Sequence, residues 1–322
     1  MRLGFLGTGW IGRHRMEAML ATGVVEAAGV ADPSEECTAA ASALAPGAER
    51  VAGLPDLLAL GLDGVVIASP SALHADQARV VLEAGVAVFC QKPLGRTATE
   101  CRAVVAAARA ADRLLGVDFS YRRTAAVEAV AAAVRGGELG RVFAADLTFH
   151  NAYGPDKPWF YDVALSGGGC LIDLGVHLVD LALWVLGTDK VRDVEARLFR
   201  NGLLLKPGEV EDYALVSFTA GDAAVRLACS WGAHEGRDAV IEARFAGTKG
   251  GAAVRNVGGS FYDLEALRFD GTTATVLGSP PDEWGGRVAA DWARALAAGG
   301  GYDPAVESVV RVAEVLDAAY GR

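Results

Sequence analysis

The chain has 322 residues, 52% hydrophobic and 22% charged, with a formal net charge of −10. That length holds two domains of ordinary size or one large one, and the apolar content supplies a sizeable core and excludes disorder. The acidic balance argues against nucleic acid and against anionic membrane surfaces as partners. Five cysteines (Cys37, Cys90, Cys101, Cys170, Cys229) form no CxxC pair. Each lies in or near an apolar stretch, as reduced thiols do, and an odd number counts against a disulfide framework. The first apolar run, Leu3–Leu6, is broken at once by glycines, unlike a signal peptide. The longest, Cys170–Leu186, contains Asp173, His177 and Asp180, so it reads as a buried helix and not a membrane span. A cytoplasmic chain is the expectation.

In chain order, the pattern predicts a strand over 2–6, a helix over 10–22 and a strand over 24–31. A helix over 34–44 follows, capped by Ser34, then a strand over 64–69, a helix over 74–84 and a strand over 86–90. A helix over 97–111 and a strand over 114–118 complete this series. Alternation at this spacing means βαβ units and a doubly wound parallel sheet. Sheets of that kind are buried on both faces, which accounts for unbroken runs such as Val65-Val66-Ile67-Ala68.

After residue 118 the texture changes. An amphipathic helix over 123–135 and a strand near 141–150 precede a long aromatic loop, Asn151–Gly169. Strands are expected over 191–200, 212–219, 224–231, 239–247, 251–257 and 264–270, with closing helices over 283–298 and 303–319. Successive strands with few helices between them indicate a largely antiparallel sheet. The fold class is therefore α/β for residues 1–118, followed by an α+β domain over 119–322 with an open, mostly antiparallel sheet.

Gly7-Thr8-Gly9-Trp10-Ile11-Gly12 follows the first strand and opens the first helix. Glycines there permit a tight turn and close approach of the backbone to a pyrophosphate seated on the helix N-terminus. Asp32 ends the second strand, 20 residues past Gly12. An acid there hydrogen-bonds a ribose 2′-hydroxyl and repels a 2′-phosphate, favouring NAD over NADP. Arg13 is the counter-signal, within reach of an added phosphate. The alternative for the whole motif is a structural glycine turn with a surface aspartate.

Only five of the 30 basic residues are lysines, and Lys92 is placed unlike a solvated surface charge. It stands in Gln91-Lys92-Pro93, directly after a buried strand. Lysine can lose its proton when desolvated, whereas arginine effectively cannot. Asp173 and His177 stand at i and i+4, on one face of an expected helix. Together with the glycine motif, an acid, an imidazole and a buried lysine imply hydride transfer. His177 would be the base for a hydroxyl proton, Lys92 the donor to the developing alkoxide, and Asp173 the group that orients His177 or holds a neighbouring hydroxyl. A satisfied core histidine is the alternative for His177. Asp180 is expected to pair with a backbone group or an arginine. Tyr121, Asn151, Tyr153 and Trp159 are candidates to line a polyol pocket, with core packing as the alternative. A zinc site built on His177 and Asp173 has few further ligands available among five histidines, so no metal is expected.

These residues together resemble the Gfo/Idh/MocA family, which includes glucose–fructose oxidoreductase and inositol dehydrogenase. The resemblance covers the glycine motif, Ser69-Pro70 with His74, Lys92-Pro93, Arg122-Arg123, and Asp173 with His177. It implies a Rossmann domain with an α/β partner domain, and NAD(P)-dependent oxidation or reduction of hydroxyl carbons of sugars, inositols and related molecules. It adds Ser69, Pro70, His74, Gln91 and Lys92 to the cofactor contacts, and a homodimer or homotetramer formed through the open sheet, whose exposed face is expected to be broadly apolar. One departure stands out: the family's Glu-Lys-Pro is Gln91-Lys92-Pro93 here. Two other functions fit the same scaffold, a non-catalytic nucleotide-binding sensor and an NAD-cycling enzyme (glycoside cleavage, imine or dihydrodiol oxidation).

Overall fold

A computed structural model describes residues 1–282 and 284–322. The helix expected over 283–298 therefore begins at a residue, Glu283, outside the described residues. The chain divides into two compact units. One comprises Met1–Ser120 with Gly285–Val310, the other Tyr121–Trp284 with Arg311–Arg322.

The first unit runs β1 (Arg2–Leu6), α1 (Trp10–Leu20), β2 (Glu26–Ala31), α2 (Glu35–Leu44), β3 (Glu49–Arg50), α3 (Leu54–Leu58), β4 (Gly64–Ile67), α4 (Ser71–Glu83), β5 (Ala87–Cys90), α5 (Ala98–Ala111) and β6 (Leu115–Val117). The strands form one sheet in the order β3-β2-β1-β4-β5-β6, parallel throughout. Strand order reverses between β1 and β4, and ligands of open α/β sheets bind outside the carboxyl ends of the strands at such a switch point. Ser34 caps α2 by accepting Cys37 N–H at 3.3 Å, and Thr97 caps α5 by accepting Glu100 N–H at 3.1 Å, each satisfying an orphan donor of the first turn. The two-residue β3 and the five-residue α3 are absent from the sequence expectation, being too short to display a period.

The expected boundary at 118/119 placed residues 285–310 in the second domain; they belong to the first unit instead. The physical reason is Trp292. With Ala289, Ala293 and Leu296 it shares one core with Leu3, Phe5, Val66 and Phe89. Gly64 and Gly116 make room for it, since a Cβ on either would lie 2.7 or 2.6 Å from the indole.

The second unit begins with a 3₁₀ turn ending at Arg123, then α6 (Ala125–Arg135) and β7 (Val142–Asn151). The long loop holds a 3₁₀ turn (Pro158–Tyr161) and one helical turn, α7 (Val163–Ser166). A π-helical segment, Leu171–Gly175, leads into α8 (Val176–Leu186). By composition the run Val163–Leu186 could cross a membrane, but 83% of its most apolar window is buried inside the protein, as in a core helix. Strands follow as β8 (Val191–Arg200), β9 (Leu203–Leu204), β10 (Tyr213–Ala220), β11 (Ala223–Ser230), β12 (Ala239–Gly247), β13 (Gly251–Asn256), β14 (Leu264–Asp270) and β15 (Thr273–Gly278). They join β7 in the order β15-β14-β13-β12-β7-β11-β10-β8-β9. Neighbours are antiparallel except β7 and β11. β10 alternates buried and exposed residues along its length, and α6 and α8 pack on the buried side of the sheet.

The opposite face departs from the apolar surface expected. Register places Asp146 opposite both Arg226 and Arg244, and Arg255 opposite both Glu242 and Glu265. Ion pairs Arg226–Asp146 (2.7 Å) and Arg255–Glu265 (2.5 Å) lie on this face. Leu215 and Val276 are exposed among them, so the face is mixed in character.

Candidate active site

In the first unit the sequence dictates a cradle. Gly7 has φ +84°, and a Cβ there would lie 2.5 Å from the Ala68 carbonyl; one on Gly12 would lie 2.2 Å from Gly7 O. Both positions require glycine for close packing. Gly9 differs, because a Cβ there meets nothing within 4 Å, so its missing side chain leaves open space over the loop. Gly9 is also the N-cap of α1, and no side chain caps that end. The first turn of α1, starting at exposed Trp10 and half-buried Ile11, thus lies under this open space, and a helix N-terminus suits an anion. Asp32 stands beside the loop, its carboxylate accepting Thr8 N–H at 2.6 Å and Ser34 N–H at 2.8 Å. Arg13 donates to the Thr8 carbonyl at 2.9 Å, and Thr8 Oγ1 is buried without a partner among the described groups. The cradle fits a dinucleotide: space above Gly9, a helix N-terminus beneath it, and an acid at the ribose position.

The loops after β4 and β5 carry the other expected cofactor contacts. Ser69 Oγ hydrogen-bonds Gln77 Oε1 at 2.6 Å, and Pro70 caps α4. His74 is buried, with Nδ1 2.7 Å from Pro93 O and Nε2 2.6 Å from Ser69 O. Burial holds its pKa below the ordinary imidazole value, while the two carbonyls pull the other way. A neutral ring can donate to only one of them. His74 thus sits between the loops after β4 and β5 with a carbonyl at each ring nitrogen, and only the protonated ring could donate to both. Gln91 directs its amide inward, Nε2 donating to Asp118 Oδ2 at 2.5 Å. Lys92, half-buried, follows at the end of β5 and forms a cis peptide with Pro93.

In the second unit, Asp173 and His177 do not share one regular α-helix. Asp173 lies in the π-helical segment and His177 in the first turn of α8. Segments of this kind interrupt helices chiefly at functional sites, where they re-aim a side chain. Trp231 Nε1 donates to Asp173 Oδ2 at 3.2 Å. The His177 ring is edge-on to Tyr121 at 5.0 Å and lies 6.4 Å from Phe149. Tyr121 also meets Trp284 at 6.2 Å; it is buried, and burial pushes its phenol well above the ordinary value. Asn151 ends β7 with its Oδ1 buried and unpartnered among the described groups. Tyr153 is exposed and packs on Phe261 at 6.1 Å, while Trp159 stacks on Phe160 at 3.8 Å. Phe149 on β7, Trp231 just after β11 and Trp284 in the segment after β15 were missed from sequence, because an aromatic residue in isolation carries no signal separating core from site.

Asp180 pairs with Arg122, Nε approaching its two oxygens at 3.0 and 2.8 Å. Burial raises the Asp180 pKa against the opposing pull of Arg122. Behind the π-helical segment, Glu211 Oε1 accepts Gly169 N–H and Leu171 N–H, both at 2.9 Å, and the Tyr320 hydroxyl at 2.7 Å. Burial raises the Glu211 pKa too, opposed by these donors.

A six-stranded parallel sheet in this order, with a glycine cradle at its switch point, is the architecture of a dinucleotide-binding domain. The family described as "Oxidoreductase family, NAD-binding Rossmann fold" matches residues 1–119, and the "GFO/IDH/MocA C-terminal domain" matches residues 127–253. The putative UDP-kanosamine synthase oxidoreductase subunit of Amycolatopsis mediterranei (strain S699) is 30% identical over 262 residues, 75% of this chain and 71% of that one. D-glucoside 3-dehydrogenase of Escherichia coli (strain K12) is 34% identical over 146 residues, 45% of this chain. The chain thus aligns with 42% of the length of that relative. Among solved structures, GenD2 from gentamicin A biosynthesis in complex with NAD superposes with a TM-score of 0.84 at 27% identity, covering 100% of this chain and 93% of the other. The chain belongs to the Gfo/Idh/MocA family, with an NAD(P)-binding first domain.

Proposed function

We propose that this protein is an NAD(P)-dependent dehydrogenase acting on a hydroxyl carbon of a sugar, inositol or related polyol. The observation that carries this reading is the setting of His177, an imidazole walled by Tyr121 and Phe149, four residues after an aspartate that Trp231 holds. Aromatic faces pack on the C–H surfaces of sugars, and an imidazole ring nitrogen can accept a hydroxyl proton. The names of the relatives, a glucoside dehydrogenase among them, point to the same substrate class.

Oxidation of a secondary alcohol needs a base for the hydroxyl proton and a donor for the charge developing on oxygen. In this reading His177 takes the hydroxyl proton at a ring nitrogen, and Lys92 can donate a hydrogen bond to the substrate oxygen. Asp173 orients His177 or accepts from a neighbouring hydroxyl. The nicotinamide, when bound, supplies the hydride acceptor or donor. Gly7, Gly9, Gly12 and the start of α1 hold its pyrophosphate. Asp32 accepts from the ribose hydroxyls and disfavours a 2′-phosphate, so NAD is the preferred cofactor.

The oligomer we propose is a dimer or tetramer that covers the open face of the nine-stranded sheet, where exposed Leu215 and Val276 alternate with ion pairs that can re-pair across an interface. Gel filtration giving a species near the 33.3 kDa chain mass would exclude it. The five free cysteines suit a reducing, cytoplasmic compartment.

The deciding experiment is NADH or NADPH formation by absorbance across methyl glucosides, anhydro sugars, inositols and sugar acids. Turnover of one class with NAD supports the reading. Tight NAD binding without turnover of any of them favours the sensor, and product formation without net NADH favours a cycling enzyme.

A further inference from the structure

Lys92 is flanked on both sides by buried clamps. On its N-terminal side, β5 and β6 end side by side, Asp118 N–H donating to the Cys90 carbonyl at 2.9 Å. There Gln91 Nε2 and Arg15 Nε both reach Asp118 Oδ2, each at 2.5 Å. Both members of the Arg15–Asp118 pair are only 1% exposed. On the C-terminal side, the Pro93 carbonyl is held by His74, which also reaches the Ser69 carbonyl. Arg15 belongs to α1, the helix opened by the glycine cradle.

A fully buried ion pair adds little net stability, because desolvating two charges offsets their attraction; its better-attested use is to fix geometry. Here the fixed group is the residue next to Lys92. An amide at position 91 is what the pair demands, since a carboxylate there would put two buried like charges at hydrogen-bond distance. Glutamine in place of the family's glutamate thus has a physical reason: the acid of this corner stands at 118.

We propose that Asp118 is a positioning residue for Lys92, fixing through Gln91 the backbone that carries the lysine and tying it through Arg15 to the nucleotide helix. This rests on the reading of Lys92 as donor to the substrate oxygen.

The test compares Gln91→Glu, Asp118→Asn, the exchange variant carrying both changes, and Lys92→Ala. Readouts are kcat with the most rapidly turned-over member of the substrate panel, NAD affinity by calorimetry, and the pH dependence of Lys92 acetylation by acetic anhydride, read by peptide mass spectrometry. Each single variant is expected to lower kcat by about tenfold or more, with NAD affinity within about twofold of the parent, and to shift the Lys92 acetylation profile. The exchange variant, again holding one acid and one amide, is expected to recover most of both losses, a non-additivity that independent structural damage does not give. An unchanged kcat and acetylation profile in Gln91→Glu overturns the proposal, as does an exchange variant no better than the product of the single losses or one that does not fold. A dead Lys92→Ala beside an unaffected Gln91→Glu defeats this inference alone. A fully active Lys92→Ala defeats the reading of Lys92 and this inference with it.

Discussion

The two units handle their ligand chemistry with different parts of the chain. In the first, the proposed nucleotide cradle is written in backbone: Gly7 and Gly12 are set by close packing, Gly9 by open space, and the helix N-terminus of α1 follows directly. In the second, the proposed catalytic site is written in side chains held at one particular geometry, with Asp173 on a π-helical segment, Trp231 bonded to it, and His177 against Tyr121. Backbone sites are tolerant of which polar residues surround them but intolerant of a single methyl group. Side-chain sites invert that sensitivity.

The largest expected effect separates these two modes. His177→Ala should lower kcat by roughly 10²–10⁴ while NAD affinity by calorimetry stays near the parent value; an equal loss in both would erase the contrast. Gly12→Ala should do the reverse. Its Cβ would lie 2.2 Å from Gly7 O, so NAD affinity should fall by about a hundredfold or more, equivalent to roughly 3 kcal/mol. An NAD affinity within twofold of the parent would show that the cradle is not the nucleotide site.

Smaller effects concern stability. Arg122→Met strands Asp180, whose side chain is 2% exposed, and should cost about 3 kcal/mol in urea unfolding. A loss below about 1 kcal/mol would mean that Asp180 is readily neutralised by a proton, as the upward push of burial on its pKa allows. The smallest effect is a pH dependence. Burial lowers the pKa values of His14, His74 and His150 from 6.5. A group depressed in the folded state contributes stability that is present above its unfolded value and lost as pH falls through the folded one. The melting temperature should therefore decline on acidification below about pH 6.5, and less steeply in His74→Asn. An identical slope in that variant would remove His74 from the effect.

The same division governs what could be read beforehand. The alternation of β1, β2, β4, β5 and β6 with α1, α2, α4 and α5 was legible, since both periods are long enough to count, and the glycine cradle followed from spacing alone. The nine-stranded sheet was legible through β14 except for the two-residue β9 (Leu203–Leu204). β15 was missed, its residues being exposed along most of the strand and thus without alternation. The break into a π-helical segment at Asp173 left no trace, because one extra residue per turn does not disturb an apolar run. Asp118 was visible only as the last residue of a strand. Its significance comes from Arg15, 103 residues away in sequence, and no local pattern encodes that partner. The open sheet face was misjudged as apolar because alternation identifies the outward residues, whereas their pairing into Arg–Asp and Arg–Glu ladders depends on register.

Trp292 carries a consequence for the order of events at the ribosome. The nucleotide-binding unit is discontinuous, and its core lacks an indole, Ala293 and Leu296 until residues 292–296 have emerged. Domains are commonly completed during synthesis as their sequence becomes available, N-terminal first. Here the cradle encoded in the first dozen residues stays on an unfinished scaffold while the intervening sheet is translated. A nascent chain stalled before residue 285 should be open to protease in its first 120 residues, and release of the last segment should close it.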